Sequence, residues 1–256
     1  MKAYPNEILG MVALSLSLSA CGGGGGYGGG SSAPPADTSG TAEGLWNGTT
    51  GTGRTIDGLV LNDGTYWFIY TAVGNNAVIA GAVQGNGMSS YGKFTSTNGI
   101  DFNLEGLGIN DFTFSGTYTA KSKFGGTLTY TGGTVNTVSA TYNTDYELTP
   151  SLATVAGTYS GSAATAGGVE AATVTIASGG AITGSSASGC SFTGAASLHP
   201  TGNVYDVTVT FNGGVCSNGA GTVTGVGYYV ASSKELVSAA LDSTRSNGFL
   251  FVGVKP

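Results

Sequence analysis

The chain reads as an all-β protein, two small antiparallel barrels in tandem, and three observations predict it. Glycine is abundant, with 47 residues in 256. Thr, Ser, Val and Tyr accompany it while Lys, Arg, Gln and Met are scarce, the balance of short strands joined by tight turns. In Tyr205-Asp206-Val207-Thr208-Val209-Thr210-Phe211 apolar and polar side chains alternate with the period of two that a half-buried strand requires. Two blocks also open alike, Gly44-Leu45-Trp46-Asn47-Gly48 and Gly157-Thr158-Tyr159-Ser160-Gly161, both Gly-x-aromatic-x-Gly. Strands of this kind must hide their edges, and closing into small up-and-down barrels does so. A membrane-spanning barrel is the rival reading. It needs long lipid-facing apolar rows, which Gly and Thr interrupt here.

The N-terminal segment is different. Lys2 gives a minimal positive start, weakened by Glu7, and Ile8 to Leu18 is apolar but too short to span a bilayer. It ends in Leu18-Ser19-Ala20-Cys21, which resembles the lipobox of bacterial lipoproteins. The resemblance implies that residues 1–20 are a signal peptide, that Cys21 carries diacylglycerol and an N-acyl chain such as palmitate, and that cleavage falls just before it. Gly22 after the Cys, with no Asp there, implies sorting to the outer membrane. An ordinary secretory signal with an incidental Cys is the alternative. Residues 21–43, with Gly22 to Gly26 and Ala33-Pro34-Pro35-Ala36, read as a disordered tether spanning about 25 Å on average.

The first barrel is expected over 44–149. Its clearest element is Leu59-Val60-Leu61-Asn62-Asp63-Gly64-Thr65-Tyr66-Trp67-Phe68-Ile69-Tyr70, a hairpin whose Asp-Gly suits a type I′ turn. Further strands are expected at 77–84, 90–96, 100–104, 112–119, 126–130 and 135–148. The second barrel is expected over 150–256, with strands at 157–162, 172–177, 181–185, 191–197, 204–211, 221–230, 235–241 and 248–254. Thr149-Pro150-Ser151-Leu152 marks the boundary, and Ser151 is placed to cap a short helical turn through Val155.

Lipobox, poly-Gly tether and paired β domains resemble surface lipoproteins of the transferrin-binding protein B and factor H-binding protein type. Gly-x-Trp at the first strand also resembles lipocalins, where an Arg near the last strand packs on the Trp. That implies Arg245 on Tyr159 in the second block; no Arg occupies the corresponding place in the first. The resemblance implies architecture and location more than a ligand.

Few residues point to catalysis. Cys190 and Cys216 form an even pair in an exported chain and are expected as a disulfide, a redox-active pair being the sharper alternative. His199-Pro200-Thr201-Gly202 looks like an exposed turn, and a lone His makes neither a His-rich zinc site nor, without a Gly-x-Ser-x-Gly elbow, a Ser-His-Asp triad. Asp57, Asp63, Asp101, Glu105 and Asp111 offer paired carboxylates as in glycosidases, but solvated loops explain them better. Asn110-Asp111 and Asn62-Asp63 lack a recognisable calcium-ligand spacing. No metal, cofactor or catalytic residue is therefore expected. With 8 Lys and Arg, 14 Asp and Glu and a net charge of −6, no basic stripe tracks nucleic acid.

The densest aromatic cluster is Trp46, Tyr66, Trp67, Phe68 and Tyr70. On one strand Tyr66, Phe68 and Tyr70 share one side and Trp67 and Ile69 the other. A small barrel buries only one side. The other meets the second block, a partner or water, which makes Tyr66, Trp67, Phe68 and Tyr70 the candidate binding surface. The expected function is a non-enzymatic binding module on the outer membrane, its partner a host or envelope protein. A carrier of a small apolar ligand is the alternative, with Gly81, Gly85, Gly225 and Gly227 available to leave an interior open. A structural envelope role is the third reading.

Overall fold

The computed structural model describes residues 40–256; the expected signal peptide, the expected lipidation site Cys21 and most of the expected tether lie outside them. Among the described residues sixteen strands form two closed barrels, the first eight strands in chain order making one and the last eight the other. The first holds β1 (Gly44–Thr50), β2 (Thr55–Val60), β3 (Thr65–Ala72), β4 (Asn75–Ser90), β5 (Lys93–Asn103), β6 (Gly108–Thr119), β7 (Lys123–Tyr130) and β8 (Val135–Asn143). The second holds β9 (Gly157–Thr165), β10 (Gly168–Ile176), β11 (Ala181–Ser186), β12 (Ser191–Leu198), β13 (Tyr205–Phe211), β14 (Thr222–Val230), β15 (Glu235–Leu241) and β16 (Gly248–Val254). Neighbours in sequence pair antiparallel, and β8 returns to β1 as β16 returns to β9.

The shared motif builds the same corner twice. Trp46 Nε1 donates to the carbonyl of Ala42 at 2.9 Å, and Tyr159 Oη to that of Val155 at 2.6 Å, each four residues back. The short segment before each first strand is thereby pulled under its barrel as a plug. Ala42 and Val155 are buried in the two interiors. The second glycine of each motif, Gly48 or Gly161, lies against the backbone of the closing strand, where any side chain would collide. The tether is thus shorter than its expected end at residue 43. Gly40 accepts from Tyr118 Oη at 2.7 Å, and Ala42 N donates to Ser89 Oγ at 3.0 Å.

Several local expectations change. The Asp63-Gly64 loop is not type I′: Gly64 alone takes positive φ, +85°. Gly64 N donates to Leu61 O at 3.0 Å and Leu61 N to Thr65 O at 2.8 Å, a type I turn followed by a bulge. The separate strands at 90–96 and 100–104 are one strand, β5, with an irregularity between Ser96 and Gly99. The last strand of the first half stops at Asn143, whose side chain accepts from Asp145 N at 2.9 Å and starts a 3-10 turn, Thr144–Glu147. Helix α1 (Leu152–Val155) follows Ser151, but the Ser151 side chain makes no capping hydrogen bond. Lys255, not Arg245, stacks on Tyr159, its Nζ 5.5 Å from that ring centroid and 4.5 Å from Tyr229, while donating to the carbonyls of Thr154 and Ala156 at 2.6 and 3.0 Å.

A third apolar cluster joins the barrels. Leu59, Trp67, Ile69, Ala82, Ile100 and Phe102 from β2 to β5 meet Ala164, Val226, Tyr228, Val237, Ala239 and Leu250 from the second barrel. Arg245, presented with φ +58° on a loop held by Asp242, reaches across to donate to Gln84 O at 2.8 Å and Asn98 O at 2.9 Å. His199 is not an exposed loop side chain. Its side chain is 12% exposed, Nδ1 lies 2.8 Å from Asp206 Oδ1, and Nε2 faces Asn62 Oδ1 of the first barrel at 3.4 Å.

Candidate functional site, a cavity in the first barrel

The aromatic strand β3 lies between two interiors. Trp67 and Ile69 pack in the cluster between the barrels, and Tyr66, Phe68 and Tyr70 point into the first barrel. All four rings of the candidate surface are buried, between 4% and 8% exposed, so the expected outward-facing aromatic patch is not there. What lies inward of β3 is a cavity of about 470 Å³, within the range of ligand pockets.

Glycine explains why the space stays open. A Cβ on Gly85 or Gly81 of β4 would strike the ring of Tyr66 or Tyr70 respectively. The rings therefore lie flat along the wall where a side chain is missing and leave the axis free. Phe68, Phe94, Phe114 and Phe124 make the lower wall, with Phe124 stacked between Phe68 and Phe114 at centroid distances of 5.8 and 5.5 Å. Gly225 and Gly227 of β14 have no such result. The second barrel is filled by Phe192, Phe211, Phe249 and Phe251 among others, and leaves about 20 Å³.

The ends differ as well. In the first barrel the end opposite the plug is open. Loops 50–55, 72–75, 103–108 and 130–135 surround it, and Val73, Leu107 and Val135 stand on it at 59%, 74% and 58% exposure. In the second barrel the equivalent end carries the loop between β13 and β14, fixed by the Cys190–Cys216 disulfide. Cys216 is buried in the barrel core, and Asn218 Nδ2 donates to Gly248 O at 3.1 Å on the far strand. That loop is a lid.

Near the open mouth one polar cluster enters the apolar cavity. Asp101, expected in a solvated loop, sits on β5 only 6% exposed. Its Oδ1 accepts from Tyr70 Oη and its Oδ2 from Tyr130 Oη, both at 2.7 Å. Burial raises the Asp101 carboxyl above its ordinary pKa, more than the two tyrosyl donors and Arg54 lower it. Burial and the Asp101 charge push both tyrosines well above theirs. Asn103 Nδ2 donates to Tyr70 Oη at 3.0 Å. Arg54 lies over the Tyr70 ring at 5.3 Å, donates to Thr71 O at 3.0 Å and pairs with Glu105 at 2.5 Å. Asp57 faces the second barrel and accepts from Asn47; burial raises its pKa, and that of Glu235, which Asp57 raises further. Asp63 accepts from Thr65 N in its turn at 2.8 Å. The side chain of Asp111 makes no hydrogen bond within the described residues, although its carbonyl accepts from Thr131 N at 3.1 Å. Among the described residues no group of three His, Cys, Asp or Glu is arranged to hold a metal.

Fold and site together define a class: tandem up-and-down β-barrels, the first hollow and open, the second filled and lidded. In solved structures the chain is similar to transferrin-binding protein B of Haemophilus parasuis, with 10% identity over 78% of this chain and 53% of that one and a TM-score of 0.31. It is also similar to transferrin-binding protein B of serogroup B Neisseria meningitidis, with 10% identity over 80% and 58% and a TM-score of 0.30. A candidate outer membrane protein of Bacteroides fragilis is similar at 16% identity, over 86% of this chain and 98% of that one, with a TM-score of 0.25. The chain spans a little over half the length of the two transferrin-binding proteins. No protein-family model and no curated protein sequence matches it.

Proposed function

We propose that this is a lipid-anchored envelope binding protein whose first barrel holds a small, largely apolar ligand. The observation that carries this reading is the cavity of about 470 Å³, lined by aromatic rings, with one polar cluster near an open mouth. Most of a ligand's binding energy there comes from apolar surface removed from water, at about 25 cal/mol per Å², while a few polar groups set its orientation. The lipobox at Cys21 and the tether would keep the barrels at an outer-membrane surface, and an aromatic chamber with a single polar cluster suits binding rather than turnover. The second barrel is a support. It buries the outer side of β2 to β5 and so fixes the wall from which Tyr66, Phe68 and Tyr70 project.

The test is native purification followed by mass spectrometry of small molecules released on denaturation. A stoichiometric apolar compound is expected from the wild type and should be lost from Leu128→Trp, which fills the cavity. Retention of the same compound by that variant would contradict the reading. A second reading is favoured by the exposed Val73, Leu107 and Val135 on the rim. There the mouth docks a host or envelope protein, and Leu107→Ser with Val135→Ser would abolish its capture while small-molecule retention stays unchanged.

A further inference from the structure

The polar cluster allows the ligand class to be narrowed; this inference rests on the cavity reading above. Asp101 is a buried carboxylate whose two oxygens meet tyrosyl hydroxyls and, among the described residues, no cation. The nearby guanidinium of Arg54 is committed to Glu105 and to a backbone carbonyl, so its charge is already matched. One negative charge is left over inside a largely apolar chamber. A buried charge without a counter-charge is costly. Water that reaches it from the mouth offsets part of that cost, and a bound cation would offset more.

The surroundings favour the same sign. The rings of Tyr70, Tyr130, Phe112 and Phe68 line the cavity with Asp101, and Phe112 and Tyr130 lie 5.7 Å apart between centroids. Aromatic faces attract a desolvated ammonium group and do little for an anion. Deeper in, Phe94, Phe114, Phe124 and Leu128 offer only apolar surface. The order from mouth to floor is carboxylate and tyrosines first, then hydrocarbon. We infer that the first barrel binds amphiphilic cations, an ammonium head seated against Asp101 between Tyr70 and Tyr130, with an apolar tail directed to the phenylalanine floor.

The test uses the full chain carrying Cys21→Ser, which lacks the acylated residue and needs no detergent. Three probes with the same tail are titrated by calorimetry: decyltrimethylammonium, decanol and decanoate. The ammonium probe should bind about tenfold tighter than decanol, and decanoate weakest of the three. Asp101→Asn should bring the ammonium and alcohol affinities together. Should that variant fail to fold, pH replaces it. The quaternary head keeps its charge at every pH, so acidification that protonates Asp101 should weaken the ammonium probe and leave decanol unchanged. The titratable and charged groups around Asp101 are Tyr70, Tyr130, Arg54 and Glu105. Decanol or decanoate binding as tightly as the ammonium probe overturns the ligand class and leaves the cavity reading standing. An ammonium preference that persists in Asp101→Asn or on acidification overturns the role of Asp101. Failure of all three probes to bind overturns the cavity reading itself.

Discussion

The two barrels share strand number, pairing and the aromatic corner that pulls a plug under each, yet one encloses about 470 Å³ and the other about 20 Å³. The difference does not lie in the plugged end. It lies in what the inward positions carry and in what covers the far end. In the first barrel, glycines on β4 let rings fold flat against the wall, and strands as long as β4, with 16 residues, and β6, with 12, raise an open mouth. In the second, strands of 6 to 9 residues surround interlocked phenylalanines under a disulfide-fixed loop. The same scaffold thus gives a packed support or a vessel, depending on where small residues stand and whether a loop crosses the rim.

The contrast can be broken most strongly in the packed core. Phe249 touches Phe192, Phe211 and Phe251 at centroid distances of 5.1, 5.6 and 6.5 Å. Phe249→Ala should destabilise by about 4 kcal/mol in denaturant titration. Phe112→Ala, at the cavity wall, should lose only about half of that, because one side of its ring already faces open space. Equal losses would mean that the first barrel is as tightly filled as the second.

The lid comes next. Cys190 and Cys216 are 26 residues apart, and replacing both with Ser should remove about 3 kcal/mol through loop-closure entropy. Proteolysis should then cut between Phe211 and Gly221, while the cavity ligand of the first barrel is retained.

A smaller effect with the opposite sign is expected at Asp101. Its pKa is raised in the folded protein, chiefly by burial, so folding favours the protonated form. The stability held by that form is fully present below the ordinary carboxylate pKa and is lost as pH rises through the raised value. Asp101→Asn should therefore stabilise the ligand-free protein at neutral pH and flatten its pH dependence over that window, while impairing binding. A destabilised variant with unchanged binding would make Asp101 a structural residue. The smallest effect is expected for Arg54→Ala. Its pairing with Glu105 at the rim is partly exposed and is worth about 0.5 kcal/mol, with the larger change in access to the mouth.

Much of the fold was legible in the sequence because period-two patterning and Gly-bounded runs are local signals. The strands of the second half, such as Tyr205–Phe211, needed little else. The irregular places were not legible. Asn98-Gly99 reads as a break but lies within one strand, where Asn98 Oδ1 accepts from Asn86 N at 2.9 Å across the sheet. Arg245 and Lys255 are both cations near the chain end, and only three dimensions decide which one reaches Tyr159. The site was half legible. Alternation on β3 showed that Tyr66, Phe68 and Tyr70 share a side, but alternation cannot say whether that side meets a core, a cavity or water. Gly81 and Gly85 were readable as a source of space. Asp101 was not, because a carboxylate beside Ile100 and Phe102 has the same one-dimensional pattern whether it points out of a barrel or into it.

If the first barrel alone is a vessel, amide chemical shifts will map a ligand to its interior. Isotope-labelled protein titrated with decyltrimethylammonium should show saturable shifts in β3, β5, β6 and β7, around Tyr70, Asp101, Phe112 and Tyr130, and none in the interior of the second barrel. Shifts confined to outer surfaces, or shared equally by both interiors, would contradict it.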